Sequence, residues 1–203
     1  MLLATTNRGK LRELAVLIGP GFALEDLAQH PALKLPPEGS DYAANAAAKA
    51  RAAALESDLP ALADDSGIEV AALGGAPGPL SARYGGEALS DLARVERLLA
   101  ELAARGPGAS RSARFVCCAA LALPSGELHA ARGECAGRIL AAPRGARGFG
   151  YDPVFAPKGD ERSMAELAEA EKNRISHRAR ALAALAPALA ALARRPKRPR
   201  TAR

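Results

Sequence analysis

Three stretches of the chain repeat apolar residues at helical spacing. Leu11, Leu14, Ala15, Leu17 and Ile18 form the first, and Leu92, Val95, Leu98, Leu99 and Leu102 the second. Leu182, Leu185, Leu189 and Leu192 form the third. Steps of three and four put each set along one side of a helix, which then packs on an apolar partner. Asp41 is positioned to cap a fourth, Ala-rich helix from Tyr42 to about Leu55. Other stretches read as strands: Met1 to Thr5, Phe22 to Leu27, Ile68 to Val70, Ala113 to Leu123, and Glu127 to about Ile139. The last two flank Pro124-Ser125-Gly126 and predict a β-hairpin. Gly19-Pro20-Gly21 and Gly106-Pro107-Gly108 end the first two helices. Pro187 lies inside the last one and is expected to kink or split it.

The pattern is interrupted at Leu62-Ala63-Asp64-Asp65-Ser66-Gly67-Ile68. Two carboxylates, a hydroxyl and a glycine sit between apolar runs. Taken alone, the segment reads as a strand end followed by a turn, because Asp and Ser bond local backbone and Gly accepts positive φ. Carboxylates at a strand tip also suit a hard divalent cation such as Mg²⁺.

Other polar clusters sit at element junctions. Thr5-Thr6-Asn7-Arg8-Gly9-Lys10 joins the first strand to the first helix. Free backbone N–H groups, a glycine and a lysine there make an anion site, although the Walker A spacing is absent. Three of the seven Phe and Tyr residues crowd into Gly148-Phe149-Gly150-Tyr151-Asp152-Pro153-Val154-Phe155. A ring with glycines on both sides leaves room for a stacked base, while close backbone packing explains the glycines equally well. In Glu171-Lys172-Asn173-Arg174-Ile175-Ser176-His177-Arg178, a single helix would turn His177 and Arg178 about 140° and 240° away from Lys172. With Ser176 as an N-cap, Lys172 ends a preceding segment, and all three can meet at one acceptor.

Composition narrows the function classes. Apolar residues are 49% of the 203, but aromatics only 3%, so the core must rest on Leu, Ala, Val and Ile. The formal charge is +6, yet the last ten residues hold six basic groups and no acid, leaving 22 of each sign elsewhere. A neutral body does not support a broad nucleic-acid surface. The tail from Arg194 to Arg203, rich in Pro and Arg, is expected to be disordered. Cys117, Cys118 and Cys135 have no zinc spacing, and the first two sit in an apolar run. An odd cysteine count fits a reducing compartment. No signal peptide or membrane-spanning run is visible, so a soluble, cytoplasmic protein is expected.

The order of these blocks resembles the inosine/xanthosine triphosphate pyrophosphatases. The series runs from Thr5-Thr6-Asn7-Arg8-Gly9-Lys10 through Asn45-Ala46 and Ala63-Asp64-Asp65-Ser66-Gly67. It continues with Gly74-Gly75-Ala76-Pro77-Gly78, Ser81-Ala82-Arg83-Tyr84, Gly148 to Pro153 and Ile175-Ser176-His177-Arg178. Where that family has Thr-Gly-Asn, this chain has Thr5-Thr6-Asn7. The resemblance covers about residues 1 to 190. It implies an α/β fold: an elongated mixed β-sheet flanked by helices in two lobes, with an active-site cleft between them. It implies one catalytic domain over 1–193, a tail over 194–203, and a homodimer. The implied activity is Mg²⁺-dependent hydrolysis of ITP, dITP and XTP to monophosphate and pyrophosphate.

Residue roles follow by the same resemblance. Thr5, Thr6, Asn7, Arg8, Gly9 and Lys10 would bind the triphosphate. Asp65 would be the catalytic carboxylate and a metal ligand, with Asp64 and Glu38 as further metal contacts and Ser66 on the substrate. Phe149, Gly150, Tyr151, Asp152, Lys172, His177 and Arg178 would form the purine pocket. Two alternatives stand beside this reading: a Maf-type nucleotide pyrophosphatase of other base preference, and a non-enzymatic nucleic-acid binder acting through the Arg-rich tail.

Overall fold

The computed structural model describes residues 1–195. Its elements are β1 (Leu2–Leu3), α1 (Arg8–Ile18), β2 (Glu25–Asp26), α2 (Tyr42–Ser57), β3 (Ala61–Val70), α3 (Asp91–Ala103), β4 (Ser112–Ala122), β5 (Leu128–Ile139), β6 (Phe155–Pro157), α4 (Glu169–Ile175) and α5 (His177–Ala193). Six strands form one mixed sheet in the order β2-β1-β3-β4-β5-β6. β1 pairs in parallel with β2 and β3, and the remaining pairs are antiparallel. The expected α/β architecture is present, and the hairpin lies where the turn residues put it.

The long strands β3 and β4 run through more than one core. Near β1, one sheet face packs on α2 through Ala46, Ala50, Ala53, Ala61, Ala63 and Val116. Alanine on both sides lets a helix lie close to the sheet, so few bulky residues are needed. The opposite face packs on α1 and α5 through Leu3, Leu14, Leu62, Leu121, Leu182 and Leu185. Further along the strands, Ile68, Val70 and Phe115 join α3 and the loops after β5 in a bulkier core holding Tyr151, Phe155 and Met164. Ala61 to Ala63 thus belong to one lobe, and Ile68 and Val70 to the other. Asp64, Asp65, Ser66 and Gly67 lie at the junction.

This corrects the reading of the acidic segment as a strand end and turn. Ala61–Val70 is one uninterrupted strand, and Asp64, Asp65, Ser66 and Gly67 pair with Ala119, Cys118, Cys117 and Val116 of β4. Asp, Ser and Gly are poor strand formers in isolation, but an eleven-residue partner strand satisfies their backbone groups, and tertiary context decides. Gly67 is required for close approach rather than for a turn. A Cβ there would stand 2.6 Å from Ser81 Oγ and 2.8 Å from Tyr42 Oη, and would also strike the Gly78 carbonyl.

Two helix details also differ from expectation. Leu92, assigned to the buried stripe of α3, is 59% exposed, while Val95, Leu98 and Leu102 are buried. Pro187 does not split α5, which is continuous from His177 to Ala193. Pro187 and Ala183, whose carbonyl loses its helical partner, are both exposed, so water takes over the lost hydrogen bond. No helix among the described residues is long and apolar enough to cross a membrane. Of the basic tail, Arg194 caps α5 and Arg195 pairs with Glu127 at 2.6 Å. The expectation of disorder beyond them lies outside the described residues.

Candidate active site

The junction segment of β3 sends its two carboxylates in opposite directions, as successive strand residues must. Asp64 faces α1 and α5. Its Oδ2 accepts from Arg178 Nη2 at 2.9 Å and Nε at 3.1 Å, and Lys10 Nζ stands 3.4 Å away. Its Oδ1 is buried without a hydrogen-bond partner. Asp65 faces α2. Its Oδ2 accepts from Asn45 Nδ2 at 2.7 Å, and its Oδ1 from the Ser66 amide at 3.0 Å.

The two carboxyls titrate in opposite directions. Burial alone would raise Asp64, but Lys10, Arg178 and Lys49 outweigh it and hold the group well below the usual carboxylate range. At Asp65 burial prevails over Lys49, Asn45 and Lys10, and the proton affinity is raised. A carboxylate made more basic by its surroundings, beside a cleft, has the character of a general base.

Lys49, on α2, organises the Asp65 side. Its Nζ donates to Glu38 Oε1 at 2.5 Å and to the Asp64 carbonyl at 2.8 Å, and lies 3.9 Å from Asp65 Oδ1. Arg83 approaches Glu38 from the other side, at 3.8 Å from Oε2. Burial works to raise the Glu38 carboxyl, but Lys49, Lys10 and Arg83 lower it below its ordinary value. Thr6, Glu38, Lys49 and Arg83 line a cleft of about 580 Å³. Sequence reasoning had Lys49 on this helix without a role. The signal available was its four-residue spacing from Asn45, which puts both on one helix face.

Oxygen atoms from Glu38, Asp64 and Asp65 therefore converge on a position that carries a positive charge. Such a donor set suits a hard cation. Among the described residues no three His, Cys, Asp or Glu side chains form a ready metal cluster. Glu38 and Asp65, which share the Lys49 ammonium, fit an ion that takes two protein carboxylates and completes its shell with water and phosphate oxygens. Asp64, expected beside Asp65 on the ion, instead faces the other side of the strand, where cations engage its Oδ2.

The first helix begins as expected. Asn7 caps α1 by accepting from the Lys10 amide at 3.0 Å, and Thr5 Oγ1 accepts from the Asn7 amide at 3.2 Å. Thr6, Asn7 and Arg8 are exposed, whereas Gly9 is buried. Gly9 is buried because the Phe149 ring lies directly on it; a Cβ would fall 2.7 Å from the ring Cγ.

Lys172, His177 and Arg178 come together as the Ser176 cap predicts. Lys172 belongs to α4, and Ser176 Oγ accepts from the Ala179 amide to start α5. Lys172 bonds Asp152 at 2.5 Å and Glu13 at 2.7 Å. Arg178 bonds Glu13, Asp64 and, at 3.0 Å, Ser66 Oγ. Burial works to lower the Lys172 pKa, but Asp152 and Glu13 outweigh it, so the ammonium is retained. His177 stacks on Phe115 at 4.7 Å and 11°, and its Nδ1 is buried without a partner. Burial, reinforced by Arg178 and Lys172, pushes its pKa well below the ordinary value and leaves a neutral ring. Phe149 covers the group, with Lys172 Nζ 5.2 Å and Arg178 Cζ 5.8 Å from its ring centre.

Two placements were not foreseen. Tyr151, expected in the purine pocket, is 5% exposed within the bulky core and donates to the Ser81 carbonyl at 3.0 Å. Glu13 was missed, although it links Lys172 to Arg178. One turn beyond Gly9 on α1, it is the counter-acid that the two cations Lys172 and Arg178 share.

Comparison with known proteins identifies the family and the fold. The profile of the Ham1 family matches residues 1–188. The chain is 50% identical over 187 residues to a dITP/XTP pyrophosphatase of Deinococcus radiodurans, covering 91% of this chain and 90% of that one. It is 49% identical over 196 residues to a dITP/XTP pyrophosphatase of Mycobacterium tuberculosis, covering 93% and 94%. A solved HAM1 protein from Coxiella burnetii superposes with a TM-score of 0.82 at 39% identity, over 94% of this chain and 98% of that chain. The expected resemblance is thereby borne out, and the chain belongs to the Ham1 family.

Proposed function

We propose that this protein hydrolyses deaminated purine nucleoside triphosphates, ITP, dITP and XTP, to the monophosphate and pyrophosphate. The similar proteins described as dITP/XTP pyrophosphatases support the reaction class. The observation that carries the mechanism is Asp65: a carboxylate of raised basicity on the α2 side of β3, 3.9 Å from Lys49, which lines the cleft.

Asp65 takes a proton from water as the water oxygen bonds to the α-phosphorus, and the bond to the α–β bridging oxygen breaks. Lys10, Lys49 and the N-terminus of α1, spanning Thr5 to Gly9, hold the charge of the departing pyrophosphate. Glu38 and Asp65 would hold Mg²⁺, which neutralises the polyphosphate and lowers the pKa of bound water. Asp64 keeps Arg178 and Lys10 in place, and Ser66 shares Arg178. Phe149 stacks on the purine beside Gly150. Lys172 and Arg178, positioned by Asp152 and Glu13, donate to the 6-keto oxygen next to the neutral His177. Adenine offers an amino group there, leaving buried donors unpaired, and is rejected.

Residues 1–193 act in this reading as one two-lobed catalytic unit, a homodimer working in the cytoplasm. No observation favours a Maf-type base preference or nucleic-acid binding through the tail. The test is pyrophosphate release from ITP, dITP, XTP, GTP and ATP with and without Mg²⁺. We expect the deaminated substrates to dominate and to need the metal; equal rates on ATP and dITP overturn the proposal.

A further inference from the structure

The Phe149 loop is gripped by two carboxylates at consecutive amides. Asp152 Oδ2 accepts from the Phe149 N–H at 2.9 Å. Asp91 Oδ2 accepts from the Gly150 N–H at 2.8 Å. Asp152 belongs to the same segment and is buried among the base-facing groups. Asp91 comes from elsewhere: it is the first residue of α3, 59 positions earlier in the chain. Its Oδ1 lies 3.4 Å from Arg94 Nη1, and Arg94 Nη2 donates to the Gly86 and Glu87 carbonyls at 3.3 and 3.1 Å. Asp91 is thus fixed to the lobe of α3 while its free oxygen reaches out to the loop.

The rest of the loop is held mainly at its start. Arg144 and Arg147 bind the 161–166 segment, Arg147 through its amide to the Ala165 carbonyl at 3.1 Å and its guanidinium to the Glu166 carbonyl at 3.1 Å. Gly145 and Gly148 adopt φ of +78° and +75°, conformations available to glycine. Residues 143–148 are all exposed. Behind them lies a cavity of about 330 Å³, bounded by Asp91, Leu92, Val95, Phe149 and Pro153. Space behind the loop means packing does not fix the aromatic ring from the α3 side; the Asp91 hydrogen bond does. The ring meanwhile covers Gly9, Lys172 and Arg178 on its inner side.

We propose that Asp91 is a positioning residue for substrate binding: its carboxylate, clamped on the Gly150 amide, ties the α3 lobe to the aromatic loop and sets where Phe149 stands over the base-reading cations. The inference rests on the reading of Phe149 as the purine's stacking partner. Asp91 lies away from Asp65 and Lys49, so its effect falls on substrate binding rather than on the chemical step.

The experiment compares the full-length chain with Asp91→Ala, Asp91→Asn and Phe149→Ala, using dITP kinetics and amide hydrogen exchange. Asn retains a carbonyl acceptor for the Gly150 amide; Ala does not. In Asp91→Ala we expect KM to rise about five- to tenfold, the scale of the net contribution of one hydrogen bond, with kcat nearly unchanged. The Gly150 amide should exchange faster while the Leu98 and Leu102 amides of α3 keep their protection. Asp91→Asn should restore both properties. Unchanged KM in Asp91→Ala, with or without faster exchange at Gly150, overturns the positioning role. Loss of protection throughout α3 with a fall in kcat also overturns it, assigning Asp91 to helix stability alone. Phe149→Ala separates the two ideas: if its KM rises while that of Asp91→Ala does not, only the Asp91 inference fails. If Phe149→Ala leaves KM unchanged, the stacking reading itself fails.

Discussion

Asp64 and Asp65 are adjacent in sequence, equally deep in one strand, and chemically identical, yet the two sides of β3 give them different work. On the α1–α5 side, Asp64 is enclosed by the cations Lys10 and Arg178, and its charge is required to keep them there. On the α2 side, Asp65 meets two neutral N–H groups, of Asn45 and Ser66, at hydrogen-bond distance and an ammonium only at 3.9 Å. One carboxylate is saturated by charge and the other keeps some of its appetite for a proton. Strand geometry separates the residues; the helices facing each side set the chemistry. A buried acid is structural or reactive according to what packs against it.

The sharpest way to break this comparison is Asp65→Asn. Asn preserves shape and one acceptor for Asn45 but cannot take a proton, so kcat on dITP should fall by about 10²- to 10⁴-fold, with the thermal midpoint nearly retained. Rates close to wild type would remove Asp65 from the chemistry. Asp64→Asn should instead act on the fold. It leaves Arg178 buried beside Glu13 without its main partner, at a cost of about 3–5 kcal/mol, read from denaturant unfolding at neutral pH. The pH dependence has a definite sign. Because the folded state holds Asp64 below its ordinary value of 3.8, ionised Asp64 stabilises above that pH. The contribution is lost as pH falls toward the folded-state pKa. The gap between wild type and Asp64→Asn should therefore narrow in unfolding measured below about pH 4.

Gly67→Ala probes the strand that carries both acids. The added methyl meets Ser81, Tyr42 and the Gly78 carbonyl, and overpacking of this kind costs about 1–3 kcal/mol, visible as a lower thermal midpoint. A smaller effect is expected from Lys49→Met on the pH profile of kcat/KM. Lys49 is the strongest charge opposing burial at Asp65, so its loss should move the acid limb to higher pH. A limb that stays in place would show that Asp65 does not govern it.

Much of this arrangement was legible in the chain. The Ser176 cap divided Lys172 from His177 and Arg178 and predicted their convergence. Asp41 announced α2, and the apolar runs around Pro124-Ser125-Gly126 announced the hairpin. The acidic segment was misread because local propensity favours a turn, whereas pairing along β4 imposes a strand. The burial of Tyr151 was not foreseen because an aromatic beside glycines carries no mark of which way its ring points. Its hydroxyl found the Ser81 carbonyl, 70 residues earlier in the chain. Glu13 went unseen because one acid on an amphipathic helix is ordinary until the cations it must balance are brought beside it.

The sequence by itself determined the helices, their caps, the hairpin, and the types of group available for phosphate, metal and purine, since these depend on spacing and side-chain chemistry within a few residues. The junction of Asp64 to Gly67 between two lobes was decided only by the tertiary structure. So were the division of the two acids between α2 and α5, and the seating of Phe149 on Gly9. Those relations join residues up to 140 positions apart, through sheet pairing and burial that no local pattern encodes.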